Sequence, residues 1–109
     1  MGKMSRQKGK TGEREVAALL RKHGFAGQRG VQYQGGPDSA DVTGLPGWHV
    51  EVKRTERMSI YPAMDQAADE KADHEKPVVF HRTNGSYWVA ILDARDFLQL
   101  VSATVTRTA

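Results

Sequence analysis

A strictly alternating segment, Trp-His-Val-Glu-Val-Lys-Arg at residues 48–54, constrains the fold of this 109-residue chain more than any other. A period of two is the pattern of a β-strand with one apolar and one polar face. The polar face carries Glu51 and Lys53, and turn residues at 44–47 bring a short strand, residues 40–43, back beside it. Carboxylates and a lysine on one sheet face can hold a divalent cation and a water for attack on a phosphodiester.

The register of this hairpin follows from the same alternation, because directly opposed residues share a face. With an odd number of loop residues, Asp41 opposes His49 and lies diagonal to Glu51. An even loop would put Asp41 with Val50 on the apolar face, unpaired and at a cost in free energy. We therefore predict an odd loop and favour Asp41 as a ligand. The same register puts Asp38 on the other face, as an accessory residue.

The rest of the sequence predicts an α/β domain, a mixed sheet flanked by helices. The predicted elements are a helix from Thr11 or Gly12 to about His23, strands at 25–34, 40–43 and 47–54, a helix at 59–74, strands at 78–81 and 87–92, and a helix at 93–101. We expect one domain at 11–101, with a flexible basic arm at 1–10 and a frayed tail at 102–109. Four side chains of the last helix are predicted to face inward: Ala94, Phe97, Leu98 and Val101.

Composition narrows the class of protein. The chain has no cysteine, which excludes disulfides and thiolate zinc sites and fits a reducing cytoplasm. No apolar run approaches the length of a membrane span or a signal segment, so we expect a cytoplasmic protein. The net charge is +3, and residues 1–14 hold five basic side chains against Glu13 alone. Together with a second basic group at 53–57, this indicates either nucleic-acid phosphate as a partner or a solubilising tail and a solvated edge.

Glu13 lies on the apolar stripe of the first predicted helix, with Val16, Ala17 and Leu20, whereas Glu15 points almost the opposite way, towards water. A core-facing carboxylate costs free energy unless it is paired or bound to a metal. The alternative is a solvated Glu13 in the first helical turn, where the helix dipole favours it. The sequence leaves both interpretations open.

The histidines and Trp48 carry less information. A zinc site made of His23, His49, His74 and His81 is disfavoured, because their spacing is not that of metal ligands. His49 shares the polar face with Glu51, and we interpret it as a surface histidine. Trp48 is interpreted as a core or dimer contact.

The order of these residues resembles the PD-(D/E)XK nuclease superfamily: Glu13, then Gly-Pro-Asp-Ser-Ala-Asp at 36–41, then Glu-Val-Lys at 51–53. Within that superfamily the chain is similar to the Holliday junction resolvase-like branch, which includes small phage-encoded endonucleases. The segments that carry this resemblance are Lys-Gly-Lys-Thr-Gly-Glu-Arg-Glu at 8–15, His-Gly-Phe at 23–25, Pro-Val-Val-Phe at 77–80 and Tyr-Trp-Val at 87–89. It implies a restriction-endonuclease-like fold and hydrolysis of DNA phosphodiesters, on branched DNA in this branch.

The resemblance also implies roles. Mg²⁺, with Mn²⁺ as a substitute ion, would be held by oxygen donors from four residues: Asp41, Glu51, the Val52 carbonyl and Glu13. Lys53 would orient or help to deprotonate the attacking water, and Gln66 matches an accessory helix glutamine. The literal Pro-Asp of the motif is Pro37-Asp38, so the resemblance leaves the first ligand open between Asp38 and Asp41.

For its partners, the resemblance implies DNA and a second copy of the chain in a homodimer. Five basic residues are candidates to meet DNA phosphates: Lys8, Lys10, Arg14, Arg54 and Arg57. The alternative is a DNA-binding module that keeps the nuclease fold without activity. Such an inactive module would be expected to lack a metal ligand or the lysine of the motif, and this sequence contains all of them.

Overall fold

The helices and strands follow the predicted order of a helix, three strands, a helix, two strands and a helix. The computed structural model describes residues 2–30 and 39–108, with the side chains of 7–30 and 39–106. The elements are α1 (Gly2–Lys22), β1 (Gln28–Arg29), β2 (Val42–Thr43), β3 (Trp48–Arg54), α2 (Ile60–Glu70), β4 (Lys76–Arg82), β5 (Val89–Leu92) and α3 (Ala94–Thr108). The predicted fold class, a mixed α/β sheet flanked by helices as in restriction endonucleases, is confirmed.

The five strands form one sheet in the order β1-β2-β3-β4-β5, and β3 is its central strand. Strands β3 and β4 run parallel and all other neighbours are antiparallel, so the sheet is mixed. A parallel pair needs a crossover connection, and α2 supplies it. This connection carries α2 across one face of β3, which decides the surroundings of the polar side chains there.

The two faces of β3 are covered by different helices. Val50 and Val52 pack with Val16 and Leu20 of α1 in the larger core cluster, which Trp48 joins from its edge as a core residue. On the other face, Ala63 and Ala67 of α2 pack with Val79. Val79 is the parallel partner of Glu51, so the polar face of β3 lies beneath α2.

Helix α1 approaches β3 closely because Gly12 has no side chain. A Cβ atom on Gly12 would lie 2.8 Å from Arg54 Cβ and 3.3 Å from Val52 Cγ1. A substitution would therefore separate the helix from the strand at the residue before Glu13.

The hairpin register confirms the prediction of an odd loop. Val42 lies opposite Val50, which leaves seven residues between them and puts both valines in the core. The register is offset by two residues from the predicted pairing of Asp41 with His49. Because an offset of two preserves the face of every side chain, Asp41 stays on the Glu51 side.

Helix α1 begins at Gly2, so the predicted start at Thr11 is wrong, and residues 2–10, expected as a flexible arm, are helical. Residues 2–8 contain methionine, arginine, glutamine and lysine, which are good helix formers, and extending a formed helix costs less than nucleating one. At the other end, α3 continues to Thr108 through most of the predicted tail. Asp38 and residues 31–37 lie outside the described part of the chain.

Glu15, which was predicted to face water, keeps 34% of its side-chain surface exposed but also joins α1 to the end of β4. Its carboxylate accepts hydrogen bonds from Arg82 Nε at 2.9 Å and from Trp88 Nε1 at 3.0 Å. The bond from Arg82 is the main reason that the pKa of Glu15 is lowered. The Arg82 guanidinium also lies 5.7 Å from the centre of the Trp88 ring, at cation–π distance.

Helix α3 has the predicted apolar stripe, but the stripe faces away from the sheet. Phe97, Leu98 and Val101 are between 42% and 60% exposed. The opposite side of the helix meets β4 through polar contacts, with Asp96 Oδ1 3.5 Å from Lys76 Nζ and Gln99 bonded to the same ammonium. Among the described helices, none is long and apolar enough to cross a membrane.

Candidate active site and metal centre

Asp41 is held against the backbone of β3. Its Oδ2 atom accepts a hydrogen bond from the Val52 N–H at 2.8 Å, and its own N–H donates to the Val50 carbonyl at 3.0 Å. The carboxylate therefore lies at the peptide that joins Glu51 to Val52. Two predicted ligand residues and the predicted backbone ligand are thus brought together.

Glu51 is the most unusual acid in the described chain, since it is only 2% exposed. Its Oε1 lies 2.7 Å from His49 Nε2, and the carboxylates of Asp41 and Glu70 are within hydrogen-bonding reach. The pKa of Glu51 is raised to about 8, mainly by burial. The neighbouring carboxylates of Asp41 and Glu70 also raise it, and the bond with His49 opposes them. A carboxyl group that resists ionisation in this way gains strongly from a cation at the same place.

His49 is fully buried under α2, so its interpretation as a surface histidine is wrong. The 2.7 Å contact with Glu51 requires a proton between the two atoms. Burial lowers the pKa of His49, but the bond to Glu51 and the carboxylates of Glu75 and Glu70 outweigh it, so the pKa lies above its ordinary value. His49 belongs to the surroundings of Glu51, where α2 excludes water from both.

Glu13 is largely buried on the α1 side of the same site. Because α1 begins at Gly2, Glu13 is not in the first turn, and the dipole alternative is excluded. Arg29 Nε donates to Glu13 Oε1 at 3.1 Å. Burial raises the pKa of Glu13, the bond from Arg29 lowers it, and the negative charge of Asp41 raises it. The Glu13 carboxylate thus lies near enough to Asp41 for the two negative charges to repel each other.

Lys53 is joined to α2 by a chain of hydrogen bonds. Its Nζ donates to Gln66 Oε1 at 3.1 Å, and Gln66 Nε2 donates to Glu70 Oε1 at 3.4 Å. Ser39 Oγ then donates to Glu70 Oε2 at 3.2 Å. The structure therefore brings the accessory residue Gln66 to Lys53, and no carboxylate in the described chain lies within ion-pair distance of the ammonium.

The five basic residues that were predicted to contact DNA phosphates differ from one another in their exposure. Lys10, Arg14 and Arg57 are exposed, and Lys8 is half-buried. The side chain of Arg54 is only 9% exposed; its guanidinium lies 3.3 Å from Glu56 Oε2 and is also bonded to Asn84. Arg57 lines a shallow cleft together with Lys53 and Gln66, so the cleft leads to the candidate site.

Glu70 was missed in the sequence, although a signal for it is present. It follows Ala63 and Ala67 by seven and three residues, on the stripe of α2 that faces the sheet. A carboxylate on a core-facing stripe is the same signal that singled out Glu13. The burial of His49 has no local signal, because it depends on where the crossover helix lies.

The metal-free protein is expected to lose stability as the pH rises from about 5 to about 8. In that range the unfolded chain has released the Glu51 proton, whereas the folded protein retains it because the pKa is near 8. The folded state then binds more protons, so the free energy of unfolding falls with pH, by on the order of 2 kcal/mol. The raised pKa of His49 acts in the same direction.

Urea unfolding in a chelating buffer at pH 5.5, 7 and 8.5 measures this change. Glu15 and Glu70, whose pKa values are lowered, affect stability only below about pH 4.5. The raised pKa of Glu13 acts in the same direction as those of Glu51 and His49, so all three lower stability as the pH rises. Stability that is constant or rises between pH 5.5 and 8.5 would contradict the prediction.

The family model of the archaeal Holliday junction resolvases (Hjc) matches residues 4–104. This range contains every described residue of the site, from Glu13 to Glu70. No curated protein and no solved structure matches the chain significantly.

Proposed function

The chain belongs to the archaeal Holliday junction resolvase family, and on that premise we propose that it is an endonuclease that hydrolyses phosphodiester bonds in branched DNA with the help of Mg²⁺. Members of this family are nucleases that act on DNA. The observation that carries the proposal is that the Asp41 and Glu51 carboxylates lie within hydrogen-bonding reach of each other at β3, with Lys53 two residues further along the strand. Because the proposed substrate is DNA, we propose that the protein acts in the cytoplasm. This would be the cytoplasm of the host cell if the chain is phage-encoded.

The donor set fits a hard divalent cation. Asp41, Glu51, Glu13 and the Val52 carbonyl offer oxygen atoms, which Mg²⁺ prefers and Mn²⁺ also accepts. When bound, such an ion neutralises charge on the phosphate and makes a water molecule more acidic. The Val52 N–H keeps Asp41 in place for this role, and Arg29 keeps Glu13 in place.

Lys53 would act on the attacking water and on the charge that develops at the phosphate. Its ammonium is neither buried nor neutralised by an acid among the described residues, so its charge is available to an incoming substrate. Gln66 fixes its direction through the Oε1 atom. A preorganised cation of this kind costs no reorganisation when the negative charge forms.

The basic residues of α1 and of the cleft would hold the phosphate backbone beside the site. Three of these residues lie along α1, namely Lys8, Lys10 and Arg14. Arg57 lies at the cleft beside Lys53. Contacts of this kind fix the register of DNA without reading its sequence. The Arg54 guanidinium would also contact a phosphate, after releasing its present partners Glu56 and Asn84.

Cleavage of a labelled four-way junction and of a linear duplex with matched sequence, in Mg²⁺, tests the proposal. We expect paired cuts in the junction, little cutting of the duplex and no cutting by Asp41→Asn, which keeps the side-chain shape but removes its charge. Equal cutting of both substrates would support the proposed nuclease activity and contradict the proposed preference for junctions. Tight binding of the junction without cutting would instead indicate an inactive DNA-binding module.

We also propose that the protein works as a homodimer that buries the apolar stripe of α3. Phe97, Leu98, Val101 and Val105 are each more than two-fifths exposed, which is costly for a monomer in water. Burying such a side chain fully stabilises an assembly by about 1.5 to 3 kcal/mol. A two-fold pairing would also present two active sites to the two strands of a junction.

Light scattering coupled to size exclusion tests the dimer with Leu98→Glu. A carboxylate in the middle of the stripe should convert the dimer to a monomer at micromolar concentration and abolish paired cutting, because a buried unpaired charge is unfavourable. Thr106→Glu adds the same charge to α3 outside the stripe and should leave the dimer intact. A monomeric wild type, or a dimer that tolerates Leu98→Glu, would refute this arrangement.

A further inference from the structure

The His49 ring lies between carboxylates that come from different elements. Its Nε2 atom is 2.7 Å from Glu51 Oε1 and 3.9 Å from Glu70 Oε2. One donor atom from each of these three residues lies within 4.8 Å of the others. Glu51 is thus shared between this group and the Asp41 side of the site.

The other nitrogen of the ring, Nδ1, is buried and has no hydrogen-bond partner within the described part of the chain. It lies 3.8 Å from Glu75 Oε1, an atom that is held by the Ala72 N–H at 2.9 Å. A fully buried polar atom without a partner is uncommon and destabilising. In metal sites, the ring nitrogen that does not bind the ion is commonly oriented by a carboxylate, which is the position of Glu75.

The charges around the ring do not balance once Glu51 is ionised. Three carboxylates, Glu51, Glu70 and Glu75, lie within 4 Å of His49, so even a protonated ring leaves the group negative when they are ionised. Buried negative charge of this kind must be neutralised by protons or by a cation. Glu70 and Glu75 keep about a fifth of their side-chain surface exposed, which gives an ion access from solvent.

The distances suit a small ion. Two donors that each lie 2.0 to 2.1 Å from a tetrahedral metal are about 3.3 Å apart. The separations of 2.7 Å and 3.9 Å from Nε2 lie on either side of this value, so small movements of the side chains suffice. Glu70 can make such a movement because its partners, Ser39 and Gln66, are also side chains.

We propose that His49 Nε2, Glu51 and Glu70 form a second cation site that takes a first-row transition-metal ion, Zn²⁺, Fe²⁺ or Mn²⁺, in preference to Mg²⁺. Imidazole nitrogen is a good donor for these ions, whereas Mg²⁺ prefers oxygen. The site fixes the Glu51 carboxylate from the α2 side and leaves the Asp41 side to the ion used in cleavage. Its existence does not depend on nuclease activity.

Pulsed electron paramagnetic resonance of Mn²⁺ bound to the full chain tests the site. With Mg²⁺ in about hundredfold excess to fill oxygen-only positions, we expect nitrogen modulation from one imidazole in the wild type. His49→Gln should lose it, and the exposed-histidine control His74→Gln should keep it. Modulation absent from the wild type, or retained in His49→Gln, would overturn the proposal.

A second variant covers the case in which His49→Gln does not fold. Glu70→Gln changes a partly exposed helix-end residue, and it should keep the circular dichroism spectrum while weakening this Mn²⁺ site at least about tenfold. Unchanged affinity in Glu70→Gln would also overturn the proposal. The measurement needs no DNA, so an inactive protein with nitrogen modulation would refute only the nuclease function, and an active protein without it would refute only this site.

Discussion

Glu51→Gln should abolish cleavage, by about a thousandfold or more, and at the same time make the metal-free protein more stable above pH 7. In the proposed mechanism the Glu51 carboxylate would hold the cation, and glutamine cannot replace it, so the chemistry should be lost. It also carries no charge to bury, so the cost that raises the pKa of Glu51 to about 8 disappears. An active-site residue whose removal stabilises the fold is expected where function requires a buried charge.

Single-turnover cleavage, junction binding and urea unfolding at pH 8 measure the three consequences. Binding should change little, because Glu51 is buried and makes no contact with the exposed basic residues. Glu56→Gln is the matched control: it removes one carboxylate from the surface near Arg54 and should retain cleavage. Substantial turnover by Glu51→Gln would remove the residue from the metal site, and a less stable variant at pH 8 would contradict the account of its pKa.

Lys53→Ala should slow cleavage by about a hundredfold to a thousandfold while the affinity for divalent cations changes less than about threefold. The reason is the position of the ammonium, which bonds to Gln66 and holds none of the site carboxylates. Its loss should therefore leave the proposed ligands in place and remove only the group that would act on water and phosphate.

Titration calorimetry with Mg²⁺ and single-turnover rates separate these two effects. Lys71→Ala provides the control, because Lys71 is a half-buried lysine just after α2 whose ammonium bonds to the Ala72 carbonyl. It should leave both the rate and the affinity unchanged. A large loss of cation affinity in Lys53→Ala would show that the lysine organises the ligands instead of acting in the reaction.

Much of the fold could be predicted because its signals are local. The alternation at 48–54 identifies β3, and the parity of the loop before it places Asp41 on the Glu51 side whatever the exact register. The last helix was predicted to start at residue 93, and Asp93 caps α3 there, since its Oδ1 accepts the Arg95 N–H at 2.7 Å. These results depend on a few neighbouring residues and on the geometry of strands and helix ends.

The rest depends on contacts between distant parts of the chain. Whether the polar face of β3 is wet or covered is decided by the crossover helix α2, so the burial of His49 and the role of Glu70 had no local pattern. For α3 the apolar stripe was predicted correctly, but its direction was not. An amphipathic pattern shows that a surface will be buried without showing whether the same chain or another molecule will bury it.

The edges of the sheet bear on how copies of this chain meet. Within the part of the chain that the structure describes, strand β1 is two residues long and β5 is four, so the ladder there has little free backbone at either end. Long, flat edge strands recruit strands from other molecules and lead to open-ended aggregates, and short edges suppress this. In the proposed homodimer the copies meet through a helix and not through a strand edge, so the assembly would be a closed pair and not an open fibre.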